Sequence, residues 1–190
     1  MTPRGRQGEL ALVLHTHMPY VEGGAPWPRP PGEPNPEGFG TWPFGEEWLW
    51  EAIATSYLPL LEVLGRAPIT LSLTPVLCDQ LESPRAPARC KQFLEEIRPE
   101  SHRRDIERFR RTGQAKLAAE LERSRVEYQA AAAALEHLDG GLLAALGAHA
   151  TWTSAATHAV LPMLASDTGI ALQVQTGIAS QDRQDRREGP

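Results

Sequence analysis

The sequence predicts an α/β protein built on parallel strands. Three observations carry that expectation. Short apolar, partly β-branched runs occur at 10–14 (LALVL), 69–77 (ITLSLTPVL) and, more weakly, 151–158 (TWTSAATH). The long intervals between them carry helical patterning, and strands that alternate with helices build βαβ units. The first run is apolar at every position, which suits a strand covered on both faces.

Taken in order, the basic N-terminus (MTPRGRQGEL) precedes an apolar run that ends at His15, too short for a signal-peptide core or a membrane span. Residues 23–45 hold seven prolines and six glycines, a density at which neither helix nor inner strand survives. Gly45 opens GEEWLWEAIATSYLPLLEVL, a helix whose Glu46 and Glu47 suit the positive end of its dipole and serve as caps. Pro59 kinks that helix or begins a new turn. Residues 88–138 read as helices joined by short breaks. There Leu121, Tyr128 and Leu135, with Leu117 and Leu138, form one apolar stripe, either in a projecting helical hairpin or on an ordinary surface helix. Asp139-Gly140-Gly141 ends that helix. Residues 141–180 return to the main fold, and the polar tail at 181–190 reads as a frayed, disordered end.

Bulk properties narrow the function. The chain has 190 residues, which suits one domain or one domain with an appendage, and 41% hydrophobic residues supply a core. A formal charge of -5 argues against nucleic acid and anionic membranes as partners. Of the five tryptophans, about half are expected in the core. Cys78 and Cys90 form no CxxC pair, consistent with a reduced, cytoplasmic chain.

Chemistry concentrates in the histidines. Side chains alternate along a strand, so His15 and His17 fall on one side with Thr16 opposite. They sit at the carboxyl end of the first strand, where ligands bind in parallel α/β folds. His158 follows the third strand in the same topological place. A lone histidine after a strand is more often structural, but three at one sheet end favour a site. Three chemistries use such a cluster. A metal site would recruit Asp79 as a carboxylate ligand. A sugar site would add an aromatic from Tyr20, Trp42 or Trp48. General acid–base catalysis would use one imidazole. No GxSxG, Walker or GxGxxG pattern appears.

Four segments then carry a resemblance: LVLHTHMPYV, GTWPFGEEWLWEAIATSYLPLLEVL, TLSLTPVLCDQL and TSAATHAVLPML. In this order they resemble the N-terminal part of glycoside hydrolase family 57, and within it the 1,4-alpha-glucan branching enzymes. The HTHxPY and SAATH stretches are specific when they occur together. The resemblance implies an incomplete (β/α)7-type barrel, of which only the N-terminal strands are present, with residues 85–140 as its helical insertion. It implies α-1,4-glucan (amylose, glycogen) as partner, no cofactor and no metal. The implied mechanism is retaining, with a glutamate nucleophile and an aspartate acid/base about 5 Å apart. Residue by residue, it places His15, His17, His158 and the aromatic Trp42 in substrate binding.

The chain also departs from the family. No WLPE-type nucleophile segment occurs, and the acid/base aspartate is missing with it, so no catalytic residue is assigned. Glu95, Glu96 and Asp167 have no strand end to act from. The stretch 24–37 looks like an insertion, and Ala150 stands where an acidic residue is often found. The expectation is a truncated, branching-enzyme-like chain, inactive alone. The alternatives are a metal-dependent polysaccharide deacetylase using His15, His17, His158 and Asp79, or a non-catalytic glucan-binding protein.

Overall fold

The computed structural model describes residues 10–21 and 45–187. Three strands, β1 (Leu12–Thr16), β2 (Ile69–Leu73) and β3 (Ala150–Thr153), form one parallel sheet in the order β1-β2-β3. The expected α/β class and its parallel sheet are therefore present. Each crossover runs through helices, as parallel pairing requires.

The strand boundaries differ from expectation for identifiable reasons. Pairing begins at Leu12↔Ile69 and runs to Thr16↔Leu73, so His15 lies inside β1, opposite Ser72. Leu10, expected in the strand, is 94% exposed. The second strand stops at Leu73 because Pro75 opens helix α3 (Pro75–Glu82) in its first turn, where a missing N–H costs nothing. The third covers only Ala150–Thr153, and residues 154–158 turn away from the sheet. Between Leu71 and Ser72 the β2–β3 register shifts by a bulge that leaves Thr151 as the extra residue. Its Oγ1 lies 2.7 Å from Thr70 Oγ1.

The first crossover is α1 (Glu47–Ala52), a π-helical turn (Ile53–Tyr57) and α2 (Leu58–Leu64) in one continuous run. The second contains α4 (Ala86–Gln92), a second π-helical turn (Phe93–Ile97) and α5 (Arg98–Arg111). Both wide turns end just before a proline, Pro59 or Pro99. A proline ring clashes with the carbonyl four residues back, and a π-helical turn gives it room without breaking the helix. Thus Pro59 resolves into a widened turn.

Helix α5 turns back at Gly113, whose φ of +73° favours glycine, into α6 (Ala115–Glu136). Of the two readings the helical hairpin is the one present, and the expected stripe holds in part, with Tyr128 buried and Leu135 and Leu138 packed against the core. Leu117 is exposed, and the closely packed positions are Ala118, Tyr128, Ala131 and Ala132. Small residues let the helices approach, while Tyr128 joins Phe93, Leu94 and the strand residues Leu71 and Leu73 in one continuous core. Helix α7 (Gly141–Gly147) leads into β3. Helix α8 (Asp167–Arg187) closes the described chain, and residues 181–187, expected to fray, form its last turns. Gln184 donates to Glu82 Oε1 at 3.0 Å, which anchors this end to α3. No described helix is long and apolar enough to cross a membrane.

Glu46 does not cap α1 with its side chain, contrary to expectation. Its backbone carbonyl accepts from Leu49 and Trp50, and its buried carboxylate pairs with Arg89. Glu47 occupies the first turn. Of the described tryptophans, Trp50 is core, whereas Trp48 and Trp152 are exposed. Cys78 and Cys90 are buried free thiols, pushed up by burial to about 11 and about 12, and are unreactive in this state.

Candidate functional site at the carboxyl ends of the strands

The site begins with the alternation of β1. Thr16 points into the protein, where its hydroxyl donates to the Ser72 carbonyl at 3.1 Å. His15 and His17 take the other side. Between them stands the ring of His158, with its centroid 4.8 Å from that of His15 and 4.2 Å from that of His17. The interplanar angles are 25° and 18°, so the three imidazoles form one stack. The three histidines named from sequence are thus brought together.

Two devices hold the stack. The first fixes the chain after β1. Gln80 on α3 is fully buried, and its Oε1 accepts from Val21 N at 2.8 Å. Its Nε2 faces the carbonyls of Met18, Pro19 and Val76, each at 3.2 Å. One amide therefore reaches three backbone groups of the turn after β1, the Val21 N–H and the Met18 and Pro19 carbonyls. The Tyr57 hydroxyl donates to the His17 carbonyl at 3.3 Å from the first crossover.

The second device presents His158. Residues 154–158 wrap against α8: Ala156 N donates to the Gln173 carbonyl at 3.1 Å, and Thr157 N donates to Gln173 Oε1 at 2.9 Å. His158 N closes the turn on the Ala155 carbonyl, and His158 has φ +60°. It is the one non-glycine residue with positive φ among those described. A left-handed backbone costs an L-residue roughly 1–2 kcal/mol. Such strain persists where surrounding contacts impose it, often at functional sites.

This strain gives a prediction. His158→Gly and His158→Ala both delete the ring, but only glycine relaxes at this φ. The glycine variant is expected to be more stable than the alanine variant by about 1 kcal/mol in urea unfolding. Equal stability would mean that the turn is not held left-handed.

Electrostatically, two members of the stack, His15 and His17, are pushed toward the neutral form. Burial, then the neighbouring His158, lowers the pKa of His15 below its ordinary 6.5. His17 is lowered by burial, then by His158 and His15. His102, buried against Tyr128 far along the chain, is lowered by burial first and by Arg98 second. The unfolded chain therefore binds more protons than the folded one once pH falls to about 6.5, and the slope of stability with pH is positive there. Stability from these groups is complete above pH 6.5 and is lost as pH falls through their lower folded values. Urea midpoints are expected to decline from pH 7 toward pH 5. Replacing His15 and His17 by glutamine should flatten that decline.

The remaining sequence candidates separate. Trp42 lies outside the described residues. Tyr20 is exposed on the turn after β1, and Trp48 is exposed on α1. Asp79 is exposed in the middle of α3 rather than at a strand end. Among the described residues no group of three or more His, Cys, Asp or Glu is placed to hold a metal ion. The stacking explains this. Imidazole lone pairs lie in the ring plane, so near-parallel rings cannot aim them at one point.

Sequence reasoning missed Ser72 and Trp152. Ser72 Oγ lies 3.1 Å from His15 Nδ1 and donates to the Thr153 carbonyl at 3.4 Å. Trp152 is in register with Ser72 and is 58% exposed. His15, Ser72 and Trp152 therefore form one cross-strand row. The alternation in ITLSL carried a signal for Ser72, and the bulge at Thr151 hid the one for Trp152.

A parallel sheet with helical crossovers defines an α/β protein, and its polar side chains converge at the carboxyl end of the strands, where ligands bind in such folds. The comparisons make this specific. No family model matches the chain. A 1,4-alpha-glucan branching enzyme of Thermococcus kodakarensis is 31% identical over 186 residues, covering 93% of this chain and 25% of that protein. A branching enzyme of the same glycoside hydrolase type from Pyrococcus horikoshii superposes with TM-score 0.73 at 32% identity, covering 93% of this chain and 32% of that one. An α-amylase of Thermotoga maritima shares the fold at TM-score 0.67 and 24% identity, covering 94% of this chain and 33% of that one. By sequence and fold together, the chain belongs to glycoside hydrolase family 57, an enzyme family. It spans about a quarter of the length of the curated branching enzyme and about a third of the solved one.

Proposed function

We propose that this chain is part of an α-1,4-glucan-active retaining hydrolase or transferase of the branching-enzyme kind, and that the histidine stack is a sugar-binding subsite. The observation that carries the reading is the stack itself. It is held by hydrogen bonds of Gln80 and Tyr57 to the chain after β1 and of Gln173 to the left-handed turn of His158, at the carboxyl end of the sheet, in a chain related to branching enzymes. Ring-edge nitrogens donate to and accept from neighbouring sugar hydroxyls, and Trp42 adds an aromatic face. The substrate is amylose or glycogen, and the compartment is the cytoplasm.

The sheet is read as the opening strands of a (β/α)7-type barrel. Supporting this, Trp152, Met163, Leu172 and Ile178 are exposed apolar side chains on β3 and the segments after it, the side on which further strands would add. In a retaining mechanism two carboxylates flank the scissile bond. No residue of this chain takes either role, so the chain binds and orients glucan without cleaving it. The deacetylase alternative is not favoured, because it needs a metal cluster and its carboxylate, Asp79, is not at a strand end.

The test has two parts. The purified chain is expected to be retarded in a glycogen-containing native gel and to leave the iodine stain of amylose unchanged. Free migration through glycogen would remove the binding reading, and a shifted iodine stain would remove the claim of inactivity.

A further inference from the structure

The Ser72 hydroxyl sits between two groups of unequal chemistry. Thr153 offers a carbonyl oxygen, which only accepts, at 3.4 Å. His15 offers Nδ1 at 3.1 Å, which donates in one neutral tautomer and accepts in the other. Ser72 has a single proton. If His15 carried its proton on Nε2, that one hydroxyl proton would have to serve both neighbours, and one contact would face lone pair to lone pair. With the proton on Nδ1, His15 donates to Ser72 and Ser72 donates to Thr153, so both bonds form. Ser72 is buried, which raises the penalty for an unmade bond. The strand register places it opposite His15, on a rigid parallel ladder rather than on a loop.

We infer that Ser72 is a positioning residue that fixes neutral His15 as the Nδ1–H tautomer, leaving Nε2 as a hydrogen-bond acceptor at the stack. This rests on, and deepens, the sugar-subsite reading: His15 accepts from a sugar hydroxyl and does not donate to one. The chain Thr153–Ser72–His15 thereby ties the polarity of the site to all three strands.

The experiment is long-range proton–nitrogen NMR on chain labelled with 15N-histidine, above pH 7, where His15 is in its neutral form. In the parent protein His15 Nδ1 should show the protonated, pyrrole-like shift and Nε2 the unprotonated one. In Ser72→Ala the pattern should move toward the Nε2–H form, and Ser72→Thr, which keeps a hydroxyl, should restore it. Unmoved signals of His137 and His149 certify that the variants are folded. An Nε2–H pattern for His15 in the parent, or an unchanged pattern in Ser72→Ala, overturns the inference. This readout needs no glucan, so it stands or falls separately from the sugar-subsite reading.

Discussion

Gly177→Ala is expected to lower stability by about 1–3 kcal/mol and to dislodge the turn that carries His158. A Cβ at this position would lie 2.2 Å from the Ser154 carbonyl oxygen and 3.3 Å from its carbon. The obstacle is backbone, so no rotamer change relieves it. The same approach is locked from the other side, where Thr153 Oγ1 donates to the Gly177 carbonyl at 3.0 Å. In an ordinary helix interior alanine is more favourable than glycine by roughly 0.5–1 kcal/mol, so the sign of the effect is diagnostic. Gly169, in the same helix, meets only the Ser166 hydroxyl at 3.3 Å, which accepts from Gly169 N and needs to shift only slightly to make room. Gly169→Ala is expected to be neutral or stabilising. Urea unfolding of the two variants checks the contrast, and equal midpoints would mean that α8 does not press on the His158 turn.

Gln80→Leu is expected to cost about 3 kcal/mol, because it removes the partner of the buried Val21 N–H and of three part-buried carbonyls at once. The leucine fills similar space but leaves Val21 N–H and the Met18, Pro19 and Val76 carbonyls without their side-chain partner. Gln80→Glu should be worse still. It keeps the acceptor for Val21 but turns a carboxylate oxygen toward three carbonyl oxygens. Both variants should loosen the segment after β1 and broaden the His17 resonance, while the α5–α6 hairpin keeps its signals. If Gln80→Glu were the more stable of the two, the amide would not be oriented as described.

Much of this architecture was legible in the chain. The apolar runs marked three strands, and the helical intervals between them forced parallel pairing. Alternation put His15 and His17 on one side, and topology put His158 beside them. The stacking of the rings was not legible, because it depends on a left-handed turn at His158 that no residue type announces. The extent of β1 was misjudged for a related reason. An apolar run says where burial is possible, whereas the strand's bounds are set by its pairing with Ile69–Leu73. Gln80 gave no signal at all as a clamp, since its partners on the turn after β1 are backbone atoms about sixty positions earlier. Pro75 did carry a readable sign, as proline in a first turn starts helices, and it shortened the second strand. The tail at 181–187 looked unstructured from composition. It is helical because Gln184 and the buried Ser180 fasten it to the body of the fold.

The central claim is that the stack of His15, His158 and His17 binds α-1,4-glucan. Titrating maltooligosaccharide into 15N-histidine-labelled chain tests it most directly. The imidazole signals of His15, His17 and His158 are expected to shift together and to saturate at one common midpoint. His149, at the opposite end of β3, and His137, at the end of α6, should not move, and His158→Gly should abolish the response. Shifts absent from the stack at saturating sugar, or a response that survives in His158→Gly, would contradict it.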